Sequence, residues 1–164
     1  MGKRSKIREG RWTDAHDGGV VVFLIGMTVN RWWRPDKWWP VFTAMPRMLA
    51  ELSKDPDSGL LGYRLLVGSK GPYVVQYWRD TQALISFAQD NDQEHRKAWR
   101  AFNQRSRTAA GAVGIWHETY AVPAGAHETL YGSTPLMGLA AATSAVPVGG
   151  GRESAQERLA RSAG

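Results

Sequence analysis

The chain has 164 residues and no cysteine, 43% of its residues are hydrophobic, and its formal net charge is +6. This length predicts one domain, because domains typically hold ~100–200 residues. The lack of cysteine excludes a disulfide framework, a thiolate metal site and a cysteine nucleophile. The charge does not predict a nucleic-acid partner, because residues 1–11 alone carry +4 and the body of the chain shows no nucleic-acid-binding motif.

The first part of the chain combines a basic segment with an apolar run. Residues 1–18 are polar and end in glycine, which predicts a flexible basic arm. The run GVVVFLIGMTV at residues 19–29 is shorter than the ~20 apolar residues of a membrane span, and no small-residue cleavage motif follows it. It therefore predicts a buried strand over residues 19–30 in a cytoplasmic protein without a membrane span.

A helix and a hairpin are predicted next. Asp36 can cap a helix that runs to about residue 54, because apolar residues recur there at helical spacing. Residues 60–67 and 73–79 have the composition of two strands, and the segment GSKGP between them is typical of a hairpin loop.

The second half of the chain continues with short helices and a last strand. Asp80 caps a helix that contains Leu84 and Phe87, and Asp92 caps a helical segment to about residue 105. Residues 112–122 form the fourth predicted strand. The domain is expected to span residues 19–142, and residues 143–164 have the composition of a disordered tail.

The order β-α-β-β-α-β is the ferredoxin-like plan of an α+β protein. In this plan the first strand lies between the third and the fourth, and both helices cover one face of the sheet. The other face would leave apolar side chains in water, so the plan predicts a homodimer that packs face to face, a dimeric α+β barrel.

The hairpin predicts which side chains share a face of the sheet. A loop symmetric about Lys70 gives cross-strand partners whose numbers sum to about 140, so that Arg64 faces Gln76 and Gly62 faces Trp78. The strand faces that mix small, polar and aromatic residues are then predicted to line one cavity. Its predicted residues are Thr28, Asn30, Arg64, Gln76 and Trp78, with either Trp116 and Glu118 or His117 and Thr119 from the last strand.

The charged and titratable residues among these candidates can be assigned roles. A buried guanidinium requires a carboxylate, and Glu118 is the predicted partner of Arg64, either at a dimer interface or beside a ligand. His95 lies on the sheet-facing stripe of its predicted helix, which suits a core residue or a base. No compact spacing of histidines and carboxylates predicts a metal site.

Four of the eight tryptophans fall in VNRWWRPDKWWP, residues 29–40. Trp38 and Trp39 fit the first turn of the predicted helix. Trp32 and Trp33 are adjacent, so their side chains point to opposite sides and one of them can face the mouth of the cavity. Trp33 is the candidate for contact with a ligand. The cluster predicts either an aromatic-walled entrance for a small hydrophobic or aromatic ligand or ordinary core packing.

Several of these segments carry a family likeness. The segments VNRWWRPDKWWPVFTAMPRML, LLGYR, QYWRD, EHRKAWRAFN and GAVGIWHETYAVPAGAHETLYG resemble a bacterial and fungal family first known as a domain of unknown function. That family was later called monooxygenase-like through a fungal polyketide-pathway member. It resembles a branch of the dimeric α+β barrels related to antibiotic-biosynthesis monooxygenases, and the likeness covers residues 18–140.

The resemblance implies oxidation of a phenolic or polyketide-like substrate without flavin or metal. A substrate anion would pass an electron to O₂, and hydrogen-bond donors would stabilise the developing oxyanion. Asn30, Arg64 and the indole N–H of Trp78 are donors of this type, and His95 or His117 could remove the substrate proton.

Two alternatives remain open. Haem-degrading relatives imply an Asn, a Trp and an axial His, which Asn30, Trp78 and His95 could supply. The third reading is a dimer that binds a small ligand without catalysis.

Overall fold

The computed structural model describes residues 6–40, 42–43, 53, 55–89 and 111–162. The first half contains β1 (Arg8–Asp14), β2 (Val20–Val29), helix α1 (residues 35–40 and 42–43), a 3-10 turn (Pro56–Ser58), β3 (Leu60–Gly68), β4 (Gly71–Trp78) and α2 (Thr81–Gln89). The second half contains β5 (Val113–Val122), β6 (Tyr131–Thr134), α3 (Gly138–Ala142), β7 (Ala145–Pro147) and α4 (Ala155–Arg161). Within this part of the chain, no helix is both long enough and apolar enough to cross a bilayer.

Four antiparallel strands form the main sheet in the order β3-β4-β2-β5. The sequence β2-α1-β3-β4-α2-β5 places β2 between β4 and β5, as the ferredoxin-like prediction requires. The fold is therefore α+β with the predicted strand order. The remainder of the first predicted helix, and the predicted helical segment from Asp92 to about residue 105, lie outside the described residues.

The β3–β4 hairpin closes tightly because glycine occupies its last turn position. Gly68 pairs with Gly71, so only Ser69 and Lys70 form the loop. Gly71 has a φ of 148°, and a Cβ there would come against the carbonyl oxygen of Met27. A side chain at this position would clash with the neighbouring strand, so this turn requires glycine.

Helices α1 and α2 pack on one face of the sheet, which we call the helix-side face, whereas Ala142 of α3 lies against Gly62 on the other face. Asp80 caps α2, since its Oδ1 accepts a hydrogen bond from Ala83 N at 2.7 Å, and this confirms the predicted cap. One buried cluster of the helix-side face joins Val21, Trp78 and Leu84. A second cluster joins Met27, Val29 and Val113, with Trp38 of α1 packed against it.

The predicted flexible arm is wrong for Arg8–Asp14, which form strand β1. This strand is the centre of a second, three-stranded sheet with the order β6-β1-β7. Its hydrogen-bonding partners lie more than a hundred residues away in the chain, for example Trp12 opposite Tyr131 and opposite Pro147. A local reading of a basic, polar segment cannot reveal such long-range pairing.

The predicted disordered tail is also wrong for much of residues 143–164, because β7 and α4 lie in it. Ser154 and Glu157 form a capping box at the start of α4. Arg158 is buried, and its Nε donates to Glu128 Oε2 at 2.7 Å. The polar residues whose composition predicted disorder thus form a helix, and an ion pair anchors that helix to the rest of the chain.

Candidate functional site

The strand register assigns every candidate side chain to one of two faces. On the helix-side face, one row across the sheet contains Tyr63, Gln76, Phe23 and Thr119, and the next row contains Leu65, Val74, Ile25 and His117. We call the other side the opposite face. One of its rows contains Arg64, Val75, Leu24 and Glu118.

This register corrects the predicted hairpin pairing by one residue. Arg64 pairs with Val75 rather than Gln76, and Gly62 pairs with Tyr77 rather than Trp78. The loop is centred between Ser69 and Lys70, not on Lys70. A slip of one residue exchanges the faces of a strand, so Gln76 and Trp78 lie on the helix-side face while Arg64 lies on the opposite face.

Gln76 and Trp78 form a hydrogen-bonded pair on the helix-side face. The indole Nε1–H of Trp78 donates to Gln76 Oε1 at 2.9 Å. Trp78 is fully buried and Gln76 is 4% exposed. The amide nitrogen of Gln76 has no hydrogen-bond partner in the described part of the chain. The predicted role of the Trp78 N–H as a free donor is wrong, because Gln76 already accepts that hydrogen bond.

His117 lies one row from Gln76 on the same face. Its ring centroid is 5.8 Å from that of Phe23, and Phe23 is the cross-strand neighbour of Gln76. Tyr63, 40% exposed, flanks Gln76 on the other side. His117 is exposed. An imidazole can accept a proton, and an amide N–H can stabilise an oxyanion.

These two rows lie between the two buried clusters of the helix-side face. The cluster around Trp78 closes one end and the cluster around Val29 closes the other. Phe23 and Tyr63 were missed as candidates from the sequence. A hairpin loop of two residues rather than three would have placed Tyr63 beside Gln76. Phe23 is placed there by the pairing of β2 with β4, which the sequence does not fix.

The predicted pair between Arg64 and Glu118 does not form within the chain. The two residues stand at opposite ends of one row, separated by β4 and β2. Three inter-strand spacings of ~4.8 Å put their backbones about 14 Å apart. Instead, Arg64 Nη1 donates to Met137 Sδ at 2.9 Å, and Glu118 Oε2 accepts from the Tyr120 hydroxyl at 2.8 Å.

Arg64 is exposed and borders a cavity of about 410 Å³ at the β3 edge of the sheet. Most of its other walls are apolar: Pro135, Leu136, Met137, Ala141 and Ala142. The prediction that the Arg64 guanidinium is buried is therefore wrong, because β3 is an edge strand of the sheet.

Trp116 packs above a glycine on the opposite face. Its ring centroid is 5.9 Å from that of Tyr73, and a Cβ on Gly26 would lie 2.7 Å from Trp116 ring atoms. Thr28 is on the same face, beside Gly114. These side chains fill the opposite face and do not join Gln76.

Asn30 and Trp33 follow the C-terminal end of β2, which is the end away from Trp78. Asn30 Nδ2 donates to Gly111 O at 2.9 Å, and Trp33 is 73% exposed. Trp78 pairs with Val21, nine residues before Asn30, which corresponds to about 30 Å along a strand. Asn30 and Trp78 are therefore too far apart to hold one haem together, and the trio implied for haem does not assemble.

His95 lies outside the described residues, so its predicted position on the sheet-facing stripe stays a prediction. In the described ranges, no group of three or more histidine, aspartate and glutamate side chains is arranged to hold a metal ion. The candidate site is therefore the helix-side pair of rows around Gln76 and His117.

Comparison with known proteins gives distant structural likenesses and one family. SnoaB from Streptomyces nogalater, a cofactor-independent oxygenase, is 19% identical over 62% of this chain and 91% of that chain, with a TM-score of 0.38. A Caulobacter crescentus protein named for the antibiotic-biosynthesis monooxygenases is 18% identical over 63% and 91%, with a TM-score of 0.41. Protein SO0527 from Shewanella oneidensis is 11% identical over 72% and 97%, also with a TM-score of 0.41.

No curated protein matches the chain significantly. With TM-scores below 0.5, the likeness to solved structures is distant, and the strand order is what identifies the fold. A family model described as Monooxygenase af470-like matches residues 20–139, which is most of the chain, and the protein therefore belongs to the monooxygenase af470-like family.

Proposed function

We propose that this protein is a monooxygenase that oxidises a small aromatic or polyketide-like molecule on the helix-side face without flavin or metal. The proposal rests on one observation: the buried indole N–H of Trp78 donates a hydrogen bond to the side-chain oxygen of Gln76 and so fixes the direction of its amide nitrogen. Family membership supports the reaction type. The amide N–H groups of Gln76, which have no hydrogen-bond partner among the described residues and lie one row from the His117 imidazole, support the location.

The proposed chemistry starts with an acidic phenol or CH₂ group of the substrate. A base removes its proton, and the resulting anion transfers one electron to O₂. The substrate radical and superoxide then combine to a peroxide. Loss of water leaves a carbonyl, so one oxygen atom enters the product, the other leaves as water, and the substrate supplies all the electrons.

Each helix-side residue has a separate role in this proposal. The amide N–H of Gln76 donates to the substrate oxyanion. Trp78 is a positioning residue, because its N–H fixes the amide oxygen and thereby the direction of the amide nitrogen. His117 accepts the substrate proton, and His95 remains a second candidate for this role.

We propose further that the chain works as a homodimer packed through the opposite face. Tyr73, Val75 and Trp116 are half-buried there, and Tyr120 is 52% exposed. Large side chains that stay partly exposed on one sheet face are costly in water and are typical of an interface. In a two-fold, face-to-face arrangement, Arg64 at one end of its row would lie over the partner's Glu118.

The experiment that tests the proposed function uses metal-free, chelator-treated protein and a panel of hydroxylated anthrones and phenols. We expect O₂ consumption, and one ¹⁸O atom per product molecule when ¹⁸O₂ is supplied. Gln76→Leu and His117→Ala should each lower kcat/KM by about 10²-fold or more, the range for losing one placed donor or base. Gln82→Leu on the exposed face of α2 is the matched control.

Three results would contradict the proposal. Turnover that depends on an added metal would exclude the cofactor-free reaction. Substrate binding without O₂ consumption across the panel would indicate a non-catalytic binder. Full activity of both helix-side variants would place the site elsewhere.

A further inference from the structure

The turn after β2 and the start of α1 expose several large aromatic side chains to solvent. Trp33 is 73% exposed, Trp39 is 55% exposed and Trp32 is 54% exposed. Phe42, near the end of the described part of α1, is 36% exposed. A covered aromatic side chain buries ~150–250 Å², and a group of them left in water marks a surface that another molecule covers.

These rings touch one another and form one continuous surface. The ring centroids of Trp32 and Trp38 are 5.7 Å apart, those of Trp38 and Trp39 are 5.8 Å apart, and those of Trp39 and Phe42 are 5.7 Å apart. Trp38 also packs against one of the buried clusters of the helix-side face, so the surface is anchored to the core. We call these four residues and Trp33 the aromatic surface.

Basic side chains lie at the same end of the sheet as the aromatic surface. Arg31 is exposed and directly precedes it. Lys70 of the β3–β4 hairpin is at this end too, because its carbonyl oxygen accepts a hydrogen bond from the last N–H of β2 at 2.7 Å. Arg34 Nη2 and Lys37 Nζ lie 2.8 Å and 3.8 Å from Asp36 Oδ2. The hairpin loop and the described residues from the turn to α1 therefore carry four basic side chains and one acidic side chain.

This combination of exposed indoles and basic side chains fits the surface of an anionic membrane. Tryptophan is enriched at membrane–water interfaces, because its ring is apolar while its N–H is polar. Lysine and arginine beside such a surface are attracted by anionic lipid headgroups.

Two other occupants fit the aromatic surface less well. A second copy of this chain, bound through the same surface, would bring the two groups of basic side chains together, and like charges in contact are unfavourable. Single-stranded nucleic acid stacks its bases on open aromatic faces. Trp39 and Phe42 instead stack on each other, with an angle of 24° between their rings.

We propose that this end of the molecule docks on an anionic lipid surface. Trp32, Trp33 and Trp39 enter the interfacial region of the bilayer, and Arg31 and Lys70 lie against the anionic headgroups. The contact is peripheral, because the lipid covers only side chains that the turn and α1 expose. It does not depend on the reaction proposed for the helix-side face.

The proposed homodimer would present two aromatic surfaces to one membrane. A two-fold axis that places Arg64 over the partner's Glu118 runs along the strands, because these residues stand at opposite ends of one row. Rotation about that axis preserves direction along the strands, so both copies present the same sheet end on the same side. Two linked contacts bind more tightly than one. This gain rests on the dimer, whereas the contact of a single copy does not.

Cosedimentation of the full chain with lipid vesicles tests the proposal. We expect binding to vesicles of phosphatidylcholine and phosphatidylglycerol that is at least about tenfold stronger than binding to pure phosphatidylcholine vesicles, and that weakens as salt is added. Trp33→Ala should weaken binding to the anionic vesicles by about tenfold. The Trp33 side chain makes no ring contact and no hydrogen bond with the described residues, so this variant should fold like the parent chain.

Leu130→Ala is the matched control for the loss of an exposed apolar side chain. Leu130 is 49% exposed and follows β5, whose last residue pairs with the first residue of β2, at the other end of the sheet. Its removal should leave vesicle binding unchanged. Thermal melts of both variants check that each remains folded.

Two single-charge variants separate the aromatic surface from the basic N-terminal segment. Arg31→Gln should weaken binding to the anionic vesicles by about fivefold, the range for one basic side chain near a charged membrane. Arg11→Gln, on β1, should have a smaller effect. If Arg11→Gln weakened binding as much as Arg31→Gln while Trp33→Ala changed nothing, the N-terminal segment would be the lipid contact and the proposal would be overturned.

Other outcomes would also overturn it. A parent chain that stays in the supernatant with anionic vesicles would exclude the lipid contact. A single-stranded oligonucleotide that displaces the chain from the vesicles, and that binds Trp33→Ala more weakly than the parent, would assign the surface to nucleic acid. Self-association that Trp33→Ala abolishes, with vesicle binding unchanged, would assign it to a second copy.

Discussion

Trp78 and Gln76 stand two residues apart on one strand, and the indole N–H of the first donates to the side-chain oxygen of the second at 2.9 Å. Alternate residues of a strand point to the same side, so this contact lies within one face of the sheet. Both side chains are buried. Trp78, the largest fully buried side chain among the described residues, therefore also orients the side-chain amide of Gln76.

The first prediction follows from that contact. Gln76→Leu keeps the volume but leaves the Trp78 N–H buried without an acceptor, so the free energy of unfolding should fall by about 1–3 kcal/mol. Urea unfolding measures it. Gln82→Leu, which removes only a surface hydrogen bond to Ser86, should change it by less than about 0.5 kcal/mol. Equal stability of Gln76→Leu and the parent chain would mean that the indole finds another acceptor.

The second prediction concerns the glycine beneath Trp116. A Cβ on Gly26 would lie 2.7 Å from Trp116 ring atoms and 2.7 Å from the Cβ of Tyr73. Gly26→Ala should therefore lower stability by about 1–3 kcal/mol through overpacking. Adding Trp116→Leu should recover part of the loss, because the indole is one of the two obstacles.

Gly114→Ala is the matched control for this change. Gly114 lies on the neighbouring strand, two residues from Trp116, and a Cβ there would meet nothing closer than 3.9 Å. Thermal unfolding of both variants is the measurement. If Gly114→Ala were as destabilising as Gly26→Ala, the loss would come from the backbone and not from the aromatic packing.

The third prediction is a pH dependence at the cap of α2. The Ala83 N–H and the Arg79 side chain both stabilise the Asp80 carboxylate and lower its pKa from 3.8. A folded-state pKa below the unfolded value means that this contribution is present above pH 3.8 and is lost as the pH falls through the lower, folded value. The chain should therefore lose helix-cap stability in acid.

Asp80→Asn tests this assignment, because asparagine retains a capping oxygen but does not titrate. At neutral pH the urea midpoint of the variant should lie close to that of the parent chain. Below pH 3.8, the ordinary value for this carboxyl, the variant should lose less stability on acidification. Parallel acid profiles for the two chains would show that another carboxylate controls this range.

The sequence was sufficient to predict the four strands of the main sheet, their order and the capping role of Asp80. It failed at the hairpin register, where the error was one residue. Periodicity shows that Arg64 and Gln76 each lie in an alternating strand, but it does not fix how many residues form the loop. Because a single-residue slip exchanges the faces, a small error there combined side chains from two different sides into one cavity.

The predictions for the two terminal segments were wrong for a different reason. The arm and the tail have few apolar residues, so local composition indicates disorder. They are ordered through contacts distant in sequence, such as β1 with β7 and Arg158 with Glu128. Pairing of this kind has no local signal in the sequence.

The last prediction concerns Arg64, whose charge has no carboxylate partner among the described residues and instead meets Met137. If the chain dimerises through the opposite face, Arg64 lies over the partner's Glu118, and the two ion pairs of the dimer are related by the two-fold axis. Arg64→Met would then leave each Glu118 unpaired at the interface. Removing one member of a buried ion pair costs about 3–5 kcal/mol. The variant dimer should therefore have a higher dissociation constant and a lower melting temperature than the parent dimer.

Adding Glu118→Gln removes the stranded charge, and the double variant should recover much of the lost dimer stability. Glu118→Gln alone should weaken the dimer as well, because it leaves Arg64 without its partner, and the three variants together form a double-mutant cycle. Sedimentation equilibrium and thermal melts over a range of protein concentrations are the measurements. A parent chain that remains an 18.2 kDa species at micromolar concentration would contradict the dimer. Additive losses in a chain that does dimerise would instead leave the edge cavity of about 410 Å³ as the place where Arg64 acts.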